Sequence, residues 1–260
     1  MDMGHGARAS RRLSTMATRT LLALLLLVPV AIHAQGGRGA PAGPPPSAQA
    51  AAPIDLTGYW ESYVNEDWLL RMVTPRKGDY QTLPLNAAAR KVGDAWDPDK
   101  DTAAGLACKS YGAAAVMRVP GRIHITWQDP NTLRIEIESG TQTRLLRFGA
   151  PQPPAGEPTW QGHSVARWMV PGRGRQGTTL KATTTHMRAG YLRKNGVPYS
   201  ANASVTEYFN VLSEAPGGPW LIVTNIVDDP QYLTQPFTTS THFRKLADGS
   251  AWKPVLCTAK

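Results

Sequence analysis

The sequence has 260 residues, of which 42% are hydrophobic and 18% charged, and a formal net charge of +9 at pH 7. Residues 1–34 contain four Arg and one Asp, so 24 basic and 18 acidic residues remain in the rest of the chain. In nucleic-acid-binding proteins the basic residues are clustered and interleaved with aromatic residues. In this sequence they are scattered and show no such interleaving. We therefore expect no nucleic-acid partner.

The N-terminus has the pattern of a signal peptide. An apolar run, Leu21–Ile32, follows four arginines and ends close to the small residue Ala34. The run has 12 residues, fewer than the roughly 20 that a membrane-spanning helix needs. We therefore predict a signal peptide over residues 1–34, no integral membrane span, and a periplasmic or secreted location.

Residues 35–53 consist of Gly, Ala, Pro, Ser and Gln with a single charged residue. Such a segment buries too little apolar surface to offset its ordering entropy, so we predict a flexible tether. The remaining residues, 54–260, are enough for one domain.

The sequence contains two cysteines, Cys108 and Cys257. In the oxidising compartment that a signal peptide implies, two cysteines are best interpreted as one disulfide. The alternative is a pair of free, buried thiols.

Alternation of apolar and polar residues predicts strands through most of the domain. The runs GRIHITWQD, NTLRIEIES and TQTRLLRFG are separated by turn-forming residues, which indicates three successive strands. In the middle run Leu133, Ile135 and Ile137 share one face, as in a sheet with one buried side. We count eight to ten strands and one short helix, Leu85–Asp97, which together predict an all-β, antiparallel barrel. A barrel of this size can hold one small ligand in an interior cup.

The start of the domain resembles that of lipocalins and other calycins. Asp55–Trp60 reads DLTGYW and contains the Gly-x-Trp pattern of that group. In these proteins the Trp closes one end of the barrel, and an Arg from a late strand packs across it. The resemblance implies a lipocalin-like or calycin-like barrel in which Trp60 and Arg244 have these two roles.

A longer stretch, residues 159–243, resembles a large uncharacterised group of exported bacterial β-barrel proteins. This resemblance implies a secreted barrel and no particular activity. The sequence departs from the group's pattern at Ser200, which Ala follows in place of Glu. The matching residues are Trp160, Gly162, Ser164, Trp168, Glu207, Asp229, Pro230, Tyr232 and Pro236.

Two similar hexamers, TTTHMR (183–188) and TSTHFR (239–244), raise the question of a shared site. Residues two apart in a strand share a face. This rule places His186 with the apolar residues of its strand, facing inward, and His242 with Arg244, facing outward. A site shared by both histidines would require Arg244 to be the buried arginine of the lipocalin pattern.

The histidines do not form a strong metal-binding pattern. A zinc site would need three imidazoles from separate strands, with His124 as the third. No two histidines are spaced i, i+2 on one strand, and no Cys pair accompanies them. We therefore predict neither a metal nor a cofactor, and histidines that are hydrogen-bonded or exposed to solvent.

The stretch VNEDWLLRM brings acidic, aromatic and guanidinium groups together near Trp60. Glu66, Asp67, Trp68 and Arg71 at a barrel mouth can bind a polar small molecule, with the arginine forked onto a carboxylate. The alternative is a surface ion pair beside a core Trp.

The stretch HMRAGYLRKNGVPYS (186–200) is too long for a tight hairpin and is rich in cations and aromatic residues. If the protein is a catalyst, His186 is the candidate general base, positioned by Glu207. Arg188 and Tyr191 are candidates to stabilise an oxyanion or enolate. The alternative is an ordered lid with solvated cations.

The leading hypothesis for function is the binding of a small, partly apolar ligand in the barrel cup. Trp60, Trp68 and Trp127 would line the cup, and a polar group such as Arg71 or His186 would fix one end of the ligand. His124, His242 and Arg244 are further candidate ligand-binding residues. The second hypothesis is a cofactor-independent isomerase, hydratase or lyase that uses the same cup, and the third is a cell-envelope interaction module without a pocket. An interaction module should have a filled barrel and an exposed apolar patch.

Overall fold

A computed structural model describes residues 44–149, 152–153, 155–170, 177–213, 215 and 217–260. The predicted signal peptide, residues 1–34, and residues 35–43 of the predicted tether lie outside the described residues. Residues 44–260 belong to one compact unit.

Strands are the main regular elements of this unit, and its helices are short. The strands are β1 (Gly58–Tyr63), β2 (Arg122–Asp129), β3 (Thr132–Ile137), β4 (Ser139–Gly140), β5 (Gln142–Phe148), β6 (His163–Met169), β7 (Thr179–Thr185), β8 (Gly190–Arg193), β9 (Val197–Tyr199), β10 (Ser204–Leu212), β11 (Trp220–Asp228), β12 (Phe237–Lys245) and β13 (Val255–Leu256). The helices are α1 (Trp68–Met72), α2 (Ala87–Asp94) and α3 (Pro98–Ala103), followed by the 3₁₀ helices Ala107–Tyr111 and Val116–Arg118.

Nine of the strands close into a barrel, which confirms the predicted fold class. Each barrel strand pairs with its neighbours along the chain, and β1 pairs with both β2 and β12 to complete the ring. All of these pairings are antiparallel except that of β5 with β6, which is parallel. A closed ring with an odd number of strands cannot alternate in direction throughout, so the barrel differs from a wholly antiparallel one at this pair.

The predicted helix, Leu85–Asp97, corresponds to α2. Its N-cap residue is Asn86, whose side-chain oxygen accepts a hydrogen bond from the Ala89 backbone N–H at 3.0 Å. The sequence does not predict α1 and α3, because five and six residues are too few to show an apolar period. Within the described part of the chain, no helix is long and apolar enough to cross a membrane.

Apolar side chains fill most of the barrel interior. The alternation predicted for β3 is confirmed, since Leu133, Ile135 and Ile137 are at most 3% exposed. The interior is therefore packed as a core over most of its length. The side chains that pack with them are Trp60, Ile123, Ile125, Leu146, Ala166, Leu180, Phe209, Leu221, Val223 and Phe243.

A polar layer crosses the barrel and contains side chains from six consecutive strands. Arg144 and Glu207 form an ion pair in it, with both side chains fully buried. Arg144 Nη1 donates to Glu207 Oε1 at 2.7 Å, and its Nη2 donates to the Thr184 hydroxyl at 3.3 Å. That hydroxyl lies 2.7 Å from the Ser164 hydroxyl. The other members of the layer are Asn225, Thr239 and Thr241.

One end of the barrel, which we call the capped end, is covered by helices and a hairpin. β8 and β9 pair with each other and pack on α2 and on the 3₁₀ helix Ala107–Tyr111. The cap therefore has an apolar core of its own. Its buried residues include Tyr80, Leu85, Ala113, Leu192, Val197, Tyr199, Leu233 and Phe237.

The opposite end, which we call the hairpin end because it contains the β2–β3 turn, is contacted by residues that precede β1. Trp168 Nε1 donates to the Ala48 carbonyl at 2.9 Å, and the Ala48 backbone N–H donates to Asn131 Oδ1 at 2.9 Å. The predicted flexible tether comprises residues 35–53, and its last part, around Ala48, thus lies against the barrel.

Trp60 is buried at the hairpin end, where its Nε1 donates to the Leu56 carbonyl at 2.9 Å. Lys245 packs across its ring, with Nζ 4.5 Å from the ring centroid. The register pairs Trp60 with Lys245 and Glu61 with Arg244, so Lys245 shares the inward face and Arg244 faces outward. The cation over Trp60 is therefore Lys245, in place of the expected Arg244.

The predicted disulfide joins Cys108 to Cys257, with Cα atoms 5.1 Å apart. It connects the 3₁₀ helix Ala107–Tyr111 to the segment of β13, which pairs in parallel with β4. The two cysteines are 149 positions apart, so the bond closes most of the domain into one covalent loop.

Replacing both cysteines by serine should lower the free energy of unfolding by about 5 kcal/mol, because the cross-link restricts a long loop in the unfolded chain. Urea denaturation of the wild type and of Cys108→Ser/Cys257→Ser measures the difference. An unchanged midpoint and slope would contradict the expectation.

Candidate functional site

A cleft at the capped end of the barrel brings three arginines together. It has a volume of about 60 Å³ and lies between α1, the 3₁₀ helix Val116–Arg118 and β8. Arg71, Arg118 and Arg193 come from these three elements in turn, and Lys194 also lines the cleft. We call this feature the arginine cleft.

Helix α1 divides its residues between the cleft and solvent. Leu70 and Arg71 line the cleft, whereas Trp68, Leu69 and Met72 are more than half exposed. Residues 68 and 72 are one helical turn apart and so share a face, which is the face turned away from the cleft.

Arg71 is held by contacts on two sides. Its side chain is only 2% exposed, its Nη1 pairs with Glu66, and its Nε donates to the Arg118 carbonyl at 2.9 Å. Burial lowers the pKa of Arg71, against the Glu66 carboxylate, which raises it. The guanidinium is therefore fixed in place by a carboxylate and a backbone carbonyl.

Arg118 is the last residue of its 3₁₀ helix and is also buried. Its Nη2 donates to Asp67 Oδ2 at 2.9 Å, and its guanidinium lies 5.8 Å from the centre of the Phe237 ring. Asp67 comes just before α1, so this ion pair attaches the helix to the cap.

Arg193 ends β8 and reaches the loop before α2. Its Nη1 donates to the Gln81 carbonyl and its Nη2 to the Thr82 hydroxyl, both at 2.8 Å. Burial and then the positive charge of Arg118 lower the pKa of Arg193 to about 10, which leaves it protonated at neutral pH. Two like charges are thus held near each other in a partly desolvated place.

Each of the three guanidinium groups has one buried nitrogen without a hydrogen-bond partner among the described residues. These atoms are Arg71 Nη2, Arg118 Nη1 and Arg193 Nε. Buried polar groups are nearly always hydrogen-bonded, and an unpaired buried charge is costly. Glu66 and Asp67 form ion pairs with two of the arginines, Asp79 acts electrostatically on Arg193, and Lys194 adds a fourth cation, so positive charge predominates. The arrangement can accept an anionic oxygen group through charge-assisted hydrogen bonds.

The residues predicted to line one cup are spread over both ends of the barrel. Arg71 lies in the arginine cleft, and Trp68 lies on the solvent side of the same helix. Trp60 and Trp127 lie at the hairpin end, where the Trp127 ring packs 5.7 Å from that of Phe148. These four residues do not form one pocket.

The remaining candidates for ligand binding lie on the outer face of the barrel. His124 stacks on Tyr59 with ring centroids 3.9 Å apart. His242 has its Nδ1 2.9 Å from Asn65 Oδ1, and Arg244 faces outward beside it on β12. The two similar hexamers therefore do not form two walls of one site.

His186 and Glu207, the predicted base and its positioning group, have different partners. Glu207 pairs with Arg144 inside the barrel, whereas His186 Nε2 is 3.0 Å from the Gly156 carbonyl oxygen. β7 ends at Thr185, and His186 has a left-handed backbone with φ of 56°. The alternation that predicts an inward His186 thus stops one residue before it.

Tyr191 and Arg188, predicted to stabilise an oxyanion, are also held separately. The Tyr191 hydroxyl donates to Asp101 Oδ2 at 2.8 Å, and Lys109 Nζ is 2.6 Å from Oδ1 of that carboxylate. Burial and the bond to Asp101 raise the pKa of Tyr191, so it is a neutral phenol at physiological pH. Arg188 lies over the Trp160 ring, 4.5 Å from its centroid.

Arg118 and Arg193 are the members of the arginine cleft that the sequence analysis does not single out. The available signal is a cation directly after apolar residues, in AAAVMR and in GYLR. Their proximity to Arg71 depends on contacts between distant parts of the chain, which no local pattern contains.

Among the residues that the structure describes, no three His, Cys, Asp or Glu side chains are placed to hold a metal ion. The sequence matches no protein-family model and no curated protein. A functional conclusion therefore depends on the geometry of the site itself.

Replacing Glu207 by Gln leaves the Arg144 charge buried without a counterion, and we expect the free energy of unfolding to fall by about 3–5 kcal/mol. The double substitution Arg144→Met/Glu207→Leu removes both charges and should destabilise the protein much less. Urea denaturation followed by circular dichroism measures both variants. A Glu207→Gln protein as stable as the wild type would show that Arg144 is not desolvated as described.

Proposed function

We propose that the protein binds a small, partly apolar molecule by its anionic end, with a carboxylate or phosphate group held in the arginine cleft. The observation that carries this proposal is the set of three buried guanidinium groups around one cleft, each with an unpartnered nitrogen. Guanidinium groups donate charge-assisted hydrogen bonds to carboxylate and phosphate oxygens, and each of the three arginines has one nitrogen left to donate. An anion placed there would offset the repulsion between the arginines.

The walls of the cleft support a ligand with an apolar part. Leu70, Val119, Pro120 and Leu192 line the cleft beside the arginines. A volume of about 60 Å³ is enough for one anionic group and the atoms next to it, but not for a larger molecule. The rest of the ligand would extend through the opening of the cleft.

The barrel cup is a weaker candidate than the arginine cleft. Trp60, Phe209 and Phe243 pack inside the barrel, and the carboxylate of Glu207 is paired with Arg144. Proton-transfer catalysis by His186 is not supported by any contact among the described residues. The ligand-binding hypothesis is therefore retained with a different site.

We also propose that the protein acts in the periplasm or outside the cell. The disulfide supports this location, because such bonds persist in oxidising compartments. The apolar run after the N-terminal arginines supports it as well. The resemblance of residues 159–243 to exported β-barrel proteins of an uncharacterised group implies the same location.

Substitution of the cleft arginines tests the proposed function. Arg71→Gln and Arg118→Gln should each weaken octanoate and inorganic phosphate binding roughly 10- to 100-fold, because a hydrogen bond to a charged group contributes about 1.5–3 kcal/mol. Isothermal titration calorimetry measures the affinities, and octanamide is the uncharged ligand for comparison.

Arg244→Gln is the matched control, because it removes the same charge from the outer face at the hairpin end. It should bind octanoate and phosphate as the wild type does. Equal affinities for all variants, octanamide binding as tight as octanoate, or no binding of either anion by the wild type would contradict the proposed function.

A further inference from the structure

We infer that α1 and the residues around it form a docking surface for an anionic phospholipid bilayer. This inference goes beyond the proposed function and does not depend on it. It concerns the solvent side of α1, whereas the proposed function concerns the side that lines the arginine cleft.

The solvent side of α1 is an unusually apolar surface. Trp68, Leu69, Met72 and Val73 are 60%, 55%, 61% and 57% exposed. Residues four apart on a helix are neighbours, so Trp68 lies next to Met72, and Leu69 next to Val73 just past the helix end. Contiguous exposed apolar side chains on a folded protein mark an interaction surface.

The charges around this surface are those that attract anionic lipid. Arg76 and Lys77 follow this surface in the chain and are exposed. Neither has an ion-pair partner among the residues that the structure describes. Glu66 and Asp67, which precede it, are each paired with an arginine of the arginine cleft. The next carboxylate, Asp79, interacts electrostatically with the same cluster.

The combination of residues favours a lipid bilayer as the occupant. A short helix with Trp, Leu and Met on one side and cations beside it is the composition of a segment that inserts at the lipid–water interface. Trp prefers this interface because its ring is apolar and its N–H is polar. Other exposed apolar side chains, such as Met169, Val170 and Leu212, lie on the barrel strands or next to them.

Hydrogen–deuterium exchange of the full chain tests the inference. The protein is mixed with phosphatidylcholine vesicles, or with vesicles that also contain phosphatidylglycerol, and exchange is followed in the peptide that covers residues 66–77. We expect slower exchange there with the anionic vesicles. The peptide readout reports α1 separately from the apolar run 21–32, which could bind lipid by itself.

Two sets of substitutions define the surface. Leu69→Ser/Met72→Ser/Val73→Ser should abolish the protection of residues 66–77. Arg76→Gln and Lys77→Gln should each weaken vesicle binding roughly fivefold at low salt. Met169→Ser/Val170→Ser, next to the hairpin end, is the matched control. In this variant anionic vesicles should slow exchange in residues 66–77 as much as in the wild type.

Several outcomes would overturn the inference. These are the absence of protection with anionic vesicles, equal protection with phosphatidylcholine alone, and protection that survives the triple serine substitution. Concentration-dependent dimerisation that the triple substitution abolishes, without any vesicle binding, would identify the surface as a self-association face instead. Octanoate binding by the triple serine variant should remain intact, so a failure of this inference is distinguishable from a failure of the proposed function.

Discussion

The closure of nine strands into one ring is the constraint on which the rest of the structure depends. Because the number is odd, one neighbouring pair has to be parallel, and that pair is β5 with β6. β5 and β6 therefore run in the same direction, so both begin at the capped end of the barrel. The register of this pair sets Leu146 opposite Ser164, which places Arg144 and Ser164 in the same region of the barrel. Six neighbouring strands of the ring contribute the side chains of the buried polar layer.

The interior of the barrel explains why the candidate site lies at its end. Apolar packing and the Arg144–Glu207 ion pair occupy the interior, and breaking either is destabilising. The cap is assembled from short helices and a hairpin, and it places three arginines around one cleft. Natural sites commonly lie in such irregular elements, which a rigid scaffold positions. The protein therefore combines a closed barrel with a cap that carries the three cleft arginines.

The sequence predicts those parts of the molecule that depend on local periodicity or on a count of residues. Alternation in β3 predicts its buried face, and two cysteines predict the disulfide. His186 shows where this reasoning fails, because a single left-handed residue at a strand end removes the alternation. Arg118 and Arg193 show a second limit. Tertiary contacts between distant parts of the chain bring these two arginines close to Arg71. In addition, a short helix such as α1 has too few residues for its sequence to indicate which side is buried.

The disulfide also divides the domain into a covalent ring, which the bond closes, and a strap, which is the part of the domain that precedes Cys108. The ring, residues 108–257, contains every barrel strand except β1, which lies between β2 and β12 and is held there by non-covalent contacts. The strap carries β1 and α1 and therefore Arg71, whereas Arg118 and Arg193 belong to the ring. Local opening can release the strap while the ring stays closed. The arginine cleft thus lies between the strap, which can open locally, and the covalent ring, which stays closed. Its width depends on the few polar contacts that join the strap to the ring.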